Sequence, residues 1–169
     1  IRMNKKFLVI GNPIEHSLSP KLHNHWIKKN NLEASYDKKL LEQDEIQQLI
    51  FDLRKEKIHG LNITVPFKKA VIPFLDILSD EARSSQSVNT IYKVKDKIIG
   101  DNTDIEGFKI GLETTNQIIK NKEALILGAG GVVPSIIIAL KKMKISKINL
   151  SNRTKSKALE IKKLFPEID

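Results

Sequence analysis

The stretch from Gly60 to Val65 constrains the fold most, because its apolar side chains alternate with polar ones. This alternation is the period of a half-buried β-strand, so one face is expected to meet a hydrophobic core. The other face then carries an amide and a hydroxyl that point the same way, those of Asn62 and Thr64. These two polar groups are the first candidates for a binding site.

Pro66 follows this strand and fits the first turn of a helix, where its missing N–H costs nothing. Lys68 would then lie in that first turn, at the positive end of the helix dipole, where a charged ammonium is disfavoured. An amine in such a place is suited to acid–base chemistry. The alternative is an ordinary strand–helix junction with a solvated lysine, and this stretch by itself leaves both interpretations open.

Strands alternate with helices along the whole chain, and this order predicts an α/β fold. The predicted strands are Lys6–Ile10, Ser35–Leu41, Gly60–Val65, Ser87–Val94, Lys97–Gly100, Ala124–Leu127 and Lys147–Leu150. The clearest helix signals are Ser19 as N-cap before Pro20, an apolar face over Asp44–Lys55, a short piece at Ser79–Arg83, and a capping box from Thr103 to Glu106. The boundary near Asp104 predicts two domains, residues 1–103 and 104–169.

The bulk composition excludes several classes of protein. Lysine and arginine exceed aspartate and glutamate by nine charges, but the basic residues are scattered and aromatic residues make up only 5% of the chain, so we expect no nucleic-acid partner. The absence of cysteine rules out disulfides and thiolate metal sites and suits the reducing cytoplasm. No apolar run approaches the length of a membrane span, so no membrane partner is expected either.

A glycine turn follows the predicted strand Ala124–Leu127 and precedes an apolar helix. Glycines in that context allow a tight turn and let the backbone approach a pyrophosphate, which the helix N-terminus then stabilises. The run is Gly128-Ala129-Gly130-Gly131, with Val133 at the third glycine position of the dinucleotide-binding fingerprint. Val133 should push the helix slightly away from the strand. A plain strand–turn–helix remains the alternative.

The end of the next strand distinguishes between cofactors. NAD sites usually carry an acidic residue there, but the segment Ser151–Lys157 has no carboxylate. Arg153 offers a planar fork for a phosphate, and Lys157 adds a second cation one helical turn later. This pattern favours NADP. Thr154 would also serve as a helix N-cap, but capping does not explain the arginine.

Several segments, taken in order, resemble the shikimate dehydrogenase family, whose members interconvert 3-dehydroshikimate and shikimate with NADP. The resemblance runs through the whole chain and rests on Gly11–Ile14, His16–Pro20, Asn62–Lys68, Val88–Thr90, Gly100–Asp104, Gly128–Gly131 and Asn152–Thr154. It implies a substrate-binding α/β domain followed by the first part of a Rossmann-like NADP-binding domain. Shikimate is the implied substrate, and a homodimer is an assembly that the residues themselves leave open.

The same resemblance assigns roles to individual residues. It implies that Ser17 and Ser19 bind the substrate carboxylate, and two hydroxyls at a helix N-terminus do make an anion site. The remaining substrate ligands are implied to be Asn62, Thr64 and Asn89, with Lys68 and Asp104 as the catalytic pair. The implied cofactor-binding residues are Asp80, Gly128, Ala129, Gly130, Gly131, Val132, Asn152, Arg153, Thr154 and Lys157, and no metal is expected.

The chain departs from the family in two respects. It has Val132-Val133-Pro134 where members more often have small residues and then a basic one. This difference bears on the affinity for the cofactor and not on which cofactor is bound. Only two strands are readable after Asp104, whereas a doubly wound nucleotide domain needs more to bury both sheet faces. We therefore expect an incomplete second domain, an inactive chain, and incomplete burial of Ile136, Ile137, Ile138 and Leu140.

Three rival functions remain open at this stage. A quinate/shikimate dehydrogenase with relaxed cofactor choice is the closest, although Arg153 and the pair Ser17 and Ser19 weigh against it. A substrate-binding fragment without catalysis is the second. A basic nucleic-acid-binding module is the third, and steeply salt-dependent DNA binding would support it.

Overall fold

A computed structural model describes residues 4–169 of the chain. The chain divides between Asp101 and Asn102 into two compact units, two residues before the predicted boundary. We call the part up to Asp101 unit 1 and the part from Asn102 onward unit 2, and each is described by itself. Within residues 4–169, none of the helices combines the length and the apolar character that crossing a membrane requires.

Unit 1 is built on a six-stranded sheet of order β2-β1-β3-β5-β6-β4. Its strands are β1 (Lys5–Gly11), β2 (Ala34–Leu40), β3 (Gly60–Ile63), β4 (Ile77–Leu78), β5 (Thr90–Val94) and β6 (Lys97–Asp101). Strand β1 pairs in parallel with β2 and β3, β5 is antiparallel to β3 and β6, and β4 is parallel to β6. Its helices are α1 (Ser19–Lys29), α2 (Ile46–Arg54) and α3 (Asp80–Ser85), with 3₁₀ turns at Gln43–Glu45 and Ile72–Phe74.

One face of this sheet carries the main hydrophobic core. The alternation predicted for β3 places Leu61 and Ile63 in that core, next to Ile10 of β1 and Ile91 of β5. Helix α2 covers the same face with its buried side chains, which are Ile46, Leu49, Ile50 and Leu53. Asn62 consequently lies on the opposite face, as the sequence predicts.

A smaller apolar cluster lies on that opposite face, beneath α1. Val9 of β1, Tyr36 of β2 and Ile14 are its buried members, and Phe7 and Ile27 pack against them. Parallel pairing sets Val9 beside Asn62, and antiparallel pairing sets Asn62 beside Thr90 of β5. The polar groups of β3 and β5 therefore lie next to an apolar cluster that holds α1 on the sheet.

The predicted helix after Pro66 is wrong. Strand β3 ends at Ile63, and residues 65–71 form a succession of turns, so Val65 lies outside the sheet with 58% of its surface exposed. Phe67 and Val71 point into the core and fix the course of these turns. Lys68 is therefore not in the first turn of an α-helix, and the helix-dipole argument for it fails.

Two of the predicted helix caps are also corrected. Helix α1 begins with Ser19 as its first residue and Leu18 at the N-cap, so Ser19 does not cap the helix. The helix that begins at Asp104 has Thr103 at its N-cap, as predicted, but the Thr103 side chain makes no capping hydrogen bond. The Asp104 N–H instead donates to Oδ1 of Asn102, at 3.0 Å.

Unit 2 contains a two-stranded parallel sheet with helices packed against it. Its elements are α4 (Asp104–Glu113), β7 (Glu123–Leu127), α5 (Val133–Lys142), β8 (Lys147–Ser151) and α6 (Lys155–Leu164). Ile137 and Leu140 are buried in its core with Ile148, Ile161 and Phe165, so the predicted incomplete burial of these two residues is wrong. The exposed apolar side chains of this unit include Leu125 and Leu127 of β7, which are 63% and 78% exposed.

Gly11, at the carboxyl end of β1, touches the segment that follows β3. A Cβ atom at this position would lie 2.5 Å from Cγ2 of Thr64 and 3.0 Å from the carbonyl oxygen of Val65. We predict that Gly11→Ala lowers the free energy of unfolding of unit 1 by about 1–3 kcal/mol, the usual cost of overpacking. Urea unfolding followed by the fluorescence of Trp26, the sole tryptophan and a residue of α1, measures this.

Gly111→Ala is the matched control, because a Cβ atom there, in α4, meets nothing within 4 Å. In this control, the free energy of unfolding measured by Trp26 fluorescence should stay within about 0.5 kcal/mol of the parent value. Equal urea midpoints for Gly11→Ala and the parent would contradict the prediction, because they would show that the Thr64 side chain moves aside without loss of stability.

Candidate functional site

The carboxyl ends of β1 and β3 lie side by side and bring two loops together. The Thr64 N–H donates to the carbonyl of Ile10 at 2.9 Å, and the Asn12 N–H donates to the carbonyl of Val65 at 2.9 Å. These bonds continue the parallel pairing one step past the strands, so Thr64 stays next to the loop that leads to α1. That loop carries Ser17 and Ser19, and both are half-buried.

The start of α1 is organised by Ser17. Its hydroxyl accepts a hydrogen bond from the Ser19 N–H at 3.3 Å, and its own N–H donates to the carbonyl of Ile14 at 3.0 Å. Pro20, in the first turn, has no N–H to satisfy. Both predicted carboxylate ligands thus lie at a helix N-terminus, where a negative charge is stabilised.

A chain of hydrogen bonds joins two of the predicted substrate ligands. The phenolic hydroxyl of Tyr36 donates to Oδ1 of Asn62 at 2.6 Å, and Nδ2 of Asn62 donates to Oγ1 of Thr90 at 3.2 Å. The Thr90 hydroxyl in turn donates to Oδ1 of Asn89 at 3.0 Å. Tyr36, Asn62 and Asn89, which are far apart in the sequence, therefore belong to one polar cluster.

Tyr36 is the residue of this cluster that the sequence did not reveal. It is 5% exposed, and burial raises the pKa of its hydroxyl to about 12, an effect that the Ser19 side chain partly opposes. Its ring stacks on His23 of α1, with centroids 4.1 Å apart and planes 6° apart, and burial lowers the pKa of that histidine. A lone tyrosine in a predicted strand carries no motif, so only the folded contacts could identify it.

Lys68 is positioned by its main chain. Its carbonyl accepts a hydrogen bond from the Val88 N–H at 2.8 Å, one residue before Asn89. The Asn89 carbonyl accepts from the Ile63 N–H at 2.8 Å and from Nδ2 of Asn62 at 3.3 Å. The turns that hold Lys68 are thus tied to the same segment as Asn89, so unit 1 brings Lys68 into the neighbourhood of the cluster.

Asp104 belongs to unit 2, whereas Lys68 belongs to unit 1. It is the first residue of α4, at the positive end of that helix, where a carboxylate is stabilised in its charged form. Asn102 accepts from its N–H and also donates to the Ser135 hydroxyl of α5 at 2.9 Å, and Asn102 and Ser135 are both buried. The start of α4 is therefore fixed to α5, and the pairing of Asp104 with Lys68 stays a prediction.

The predicted glycine turn lies between β7 and α5, at the carboxyl edge of the small sheet. Gly128 has φ +111°, a conformation that side-chain-bearing residues rarely adopt, and its N–H donates to the Ser151 carbonyl at 2.7 Å. A Cβ atom added at Gly128, Gly130 or Gly131 would meet nothing within 4 Å. The backbone here is open to close approach by a ligand, at the N-terminus of a ten-residue helix.

Asn152 holds this turn against the loop that follows β8. Its Oδ1 accepts from the Ala129 N–H at 3.1 Å, and its Nδ2 donates to the Thr154 carbonyl at 2.7 Å. Arg153 and Lys157 project from the same loop and from the first turn of α6, and both are exposed. Thr154 is the N-cap residue of α6 but makes no side-chain capping bond.

The arrangement in unit 2 fits an anionic dinucleotide. Open glycines, a helix N-terminus and two exposed cations on the neighbouring loop are the features that hold a pyrophosphate and a further phosphate. Asp80, by contrast, is an exposed residue at the start of α3 in unit 1, apart in the chain from the other predicted cofactor ligands. Among residues 4–169, no group of three or more histidine, aspartate or glutamate side chains could hold a metal ion.

Comparison with known proteins bears on the identity of both units. Residues 9–91 match the family described as the shikimate dehydrogenase substrate binding domain. The chain is 73% identical over 167 residues to the shikimate dehydrogenase (NADP(+)) of Pelagibacter ubique, a match covering 99% of this chain and 63% of the relative. The chain is therefore similar, over almost its whole length, to members of the shikimate dehydrogenase family.

Other members of the family show the same similarity. The shikimate dehydrogenase (NADP(+)) of Vesicomyosocius okutanii is 43% identical over 95% of this chain and 60% of its own. The crystal structure of the shikimate dehydrogenase from Aquifex aeolicus matches with a TM-score of 0.91 at 38% identity, over 98% of this chain and 62% of that one. The Thermus thermophilus enzyme, solved with NADP(H) and shikimate, matches with a TM-score of 0.88 at 32% identity, over 97% and 62%.

The chain thus spans about three fifths of the length of these family members. An assay of the whole reaction needs the remaining length, which the Pelagibacter relative can supply. We define the chimera as this chain followed by the part of that relative that lies beyond its match to this chain.

We predict that Arg153→Ala in the chimera weakens NADPH binding by about 1.5–3 kcal/mol, the range of a hydrogen bond to a charged group, and NADH binding hardly at all. The reason is that only NADPH carries a 2′-phosphate for the guanidinium. Fluorescence titration of both nucleotides measures the difference.

Lys155→Ala is the control, since it removes a similarly exposed cation two residues away at the start of α6. This substitution should weaken the binding of NADPH and of NADH slightly and to the same extent. If Arg153→Ala did the same, Arg153 would not read the 2′-phosphate.

Proposed function

We propose that the protein to which this chain belongs catalyses the reversible, NADP-dependent interconversion of 3-dehydroshikimate and shikimate, in the cytoplasm. The observation that carries this proposal is the hydrogen-bonded cluster of unit 1, which joins Asn62 to Asn89 beside the loop of Thr64. A cluster of hydroxyls and amides at one sheet edge suits a small, polyhydroxylated ring acid. The match of residues 9–91 to the shikimate dehydrogenase substrate binding domain supports the same substrate class.

The substrate carboxylate would be held by Ser17 and Ser19. Both hydroxyls lie at the N-terminus of α1, so the helix dipole adds to their hydrogen bonds. The ring hydroxyls would be recognised by Asn62, Thr64 and Asn89, whose amides and hydroxyl can both donate and accept. Because the amides are already tied to neighbouring groups, little side-chain freedom remains to be lost on binding.

Lys68 would move the proton at the reacting ring oxygen. NADP, when bound, accepts or supplies the hydride. In the reducing direction Nζ of Lys68 donates a proton to the ring oxygen as negative charge develops on it, and in the oxidising direction Nζ accepts that proton. Asp104, the first residue of α4, would orient the hydroxyl and the ammonium.

Unit 2 would hold the cofactor through its main chain and its cations. The residues from Gly128 to Val132 would receive the pyrophosphate at the N-terminus of α5, and Asn152 keeps that turn in place through the Ala129 N–H. Arg153 and Lys157 would contact the 2′-phosphate, with Thr154 beside them. Asp80 is the least supported of the proposed contacts, since it lies in unit 1.

The chimera tests the function directly. Oxidation of shikimate with NADP should exceed oxidation of quinate with NAD by at least about tenfold in kcat/KM, since Arg153 reads a group that only NADP has. Comparable rates with quinate and NAD would favour the quinate/shikimate alternative. An inactive chimera that still binds shikimate would favour a binding protein without catalysis.

We predict that residues 1–169 by themselves do not oxidise shikimate. Unit 2 has a two-stranded sheet with Leu125 and Leu127 exposed, which is too little structure to hold a whole dinucleotide against the substrate. Positioning of reactants can be worth roughly 7–11 kcal/mol of a barrier. NADPH formation by this chain at a rate near that of the chimera would contradict the prediction.

Lys68→Ala in the chimera should lower kcat by at least about a hundredfold with only a modest change in the KM for shikimate, because proton transfer, not binding, is lost. Steady-state assays at saturating NADP measure both constants. Lys69→Ala removes the adjacent, exposed lysine and should leave both within about twofold. A Lys68→Ala enzyme with most of its turnover would remove Lys68 from the chemistry.

A further inference from the structure

We propose that Tyr36 is a positioning residue for the substrate site, whose hydroxyl holds Asn62 and fixes the direction in which that amide presents its hydrogen bonds. The proposal rests on the proposed function, because it concerns how Asn62 is held for the substrate. Its basis is the geometry around one buried hydroxyl. The Tyr36 hydroxyl donates to Asn62 of β3, which is a proposed substrate ligand.

The direction of this hydrogen bond follows from the chemistry of the phenol. A phenol has one hydrogen, and Tyr36 donates it to Oδ1 of Asn62 at 2.6 Å. Because burial raises the pKa of Tyr36 to about 12, the phenol keeps its hydrogen throughout the neutral range.

The donation from Tyr36 also fixes the orientation of an amide. With Oδ1 of Asn62 accepting from Tyr36, its Nδ2 faces the Asn89 carbonyl at 3.3 Å and the Thr90 hydroxyl at 3.2 Å. The reversed amide would place an NH₂ group against the phenolic hydrogen and an oxygen against a carbonyl. Tyr36 therefore sets which end of Asn62 faces which neighbour, and through Thr90 it influences Asn89.

The tyrosine ring is itself held in place. It is stacked on His23 at 4.1 Å, and the backbone of Tyr36 is bonded on both sides to Asn24, whose Nδ2 donates to the Tyr36 carbonyl at 2.7 Å and whose Oδ1 accepts from the Tyr36 N–H at 3.0 Å. These contacts come from α1, the helix that begins at Ser19. The fixed side chain of Tyr36 therefore connects α1 to Asn62 of β3.

The test uses Tyr36→Phe in the chimera, which keeps the ring and its stacking and removes only the hydroxyl. Tyr92→Phe is the matched control, because Tyr92 lines the same cavity of about 330 Å³ while its hydroxyl takes no part in this network. We expect the KM for shikimate to rise about five- to tenfold in Tyr36→Phe, the scale of one or two lost hydrogen bonds, with kcat and the KM for NADP within about twofold. Tyr92→Phe should change none of these constants by more than about twofold.

A double-mutant cycle separates positioning from a general structural effect. If Tyr36 acts through Asn62, Tyr36→Phe should add little to the KM increase already caused by Asn62→Ala. The inference would be overturned if the KM increases of the two single variants multiplied in the double variant. It would also be overturned if Tyr36→Phe and Tyr92→Phe had the same KM for shikimate. Thr90→Val removes one of the two acceptors of Nδ2 of Asn62 and should also raise the KM for shikimate, so the proposal stays measurable if Tyr36→Phe does not fold.

The outcomes also separate this inference from the proposed function. A parent chimera that oxidises shikimate with NADP upholds the function whatever Tyr36→Phe does. If the parent is inactive, the side-chain amide signals of Asn62 in NMR spectra still report on Tyr36. Their chemical shifts should change in Tyr36→Phe and not in Tyr92→Phe. Unchanged chemical shifts in Tyr36→Phe would refute the positioning role.

Discussion

The close approach of Gly11 to Thr64 is the contact on which the candidate substrate site depends. The absence of a side chain at Gly11 lets β1 and β3 stay paired to their carboxyl ends and continue in step through Thr64 and Asn12. The loop that leads to Ser17 then leaves the sheet next to the strand that carries Asn62. Two segments about fifty residues apart in the chain are thereby brought to one edge by backbone geometry alone.

The predictions that succeeded depended on local pattern. The period-2 alternation of β3 places Leu61 and Ile63 in the core and Asn62 on the other face, because the face of a strand is set by neighbouring residues. The glycine turn lies between β7 and α5 as predicted, since the φ of Gly128 is a local requirement. Such features need no knowledge of the rest of the chain.

The main prediction that failed depended on distant parts of the chain. Proline is compatible with a first helical turn, but Phe67 and Val71 are buried in the core and the Lys68 carbonyl is bonded to Val88, so the segment turns instead. Here a tertiary contact outweighs the local preference, and only the folded structure shows which contact it is. The predicted Ser19 cap failed for a local reason, because α1 includes Ser19 as its first residue and the Ser19 N–H donates to the Ser17 hydroxyl.

The two proposed anion sites of this chain use different chemistry, and their surroundings account for the difference. The substrate carboxylate would be met by the neutral hydroxyls of Ser17 and Ser19 in a half-buried corner of unit 1, where a cation would have to be desolvated at considerable cost. The cofactor phosphate would be met by Arg153 and Lys157, which remain in contact with solvent and bear no such cost. Neutral donors also discriminate better by shape, because their hydrogen bonds are directional and their positions are fixed by the start of α1. A positive chain can therefore attract both anions from solution, while selectivity for the ring acid rests on uncharged groups that are held in place.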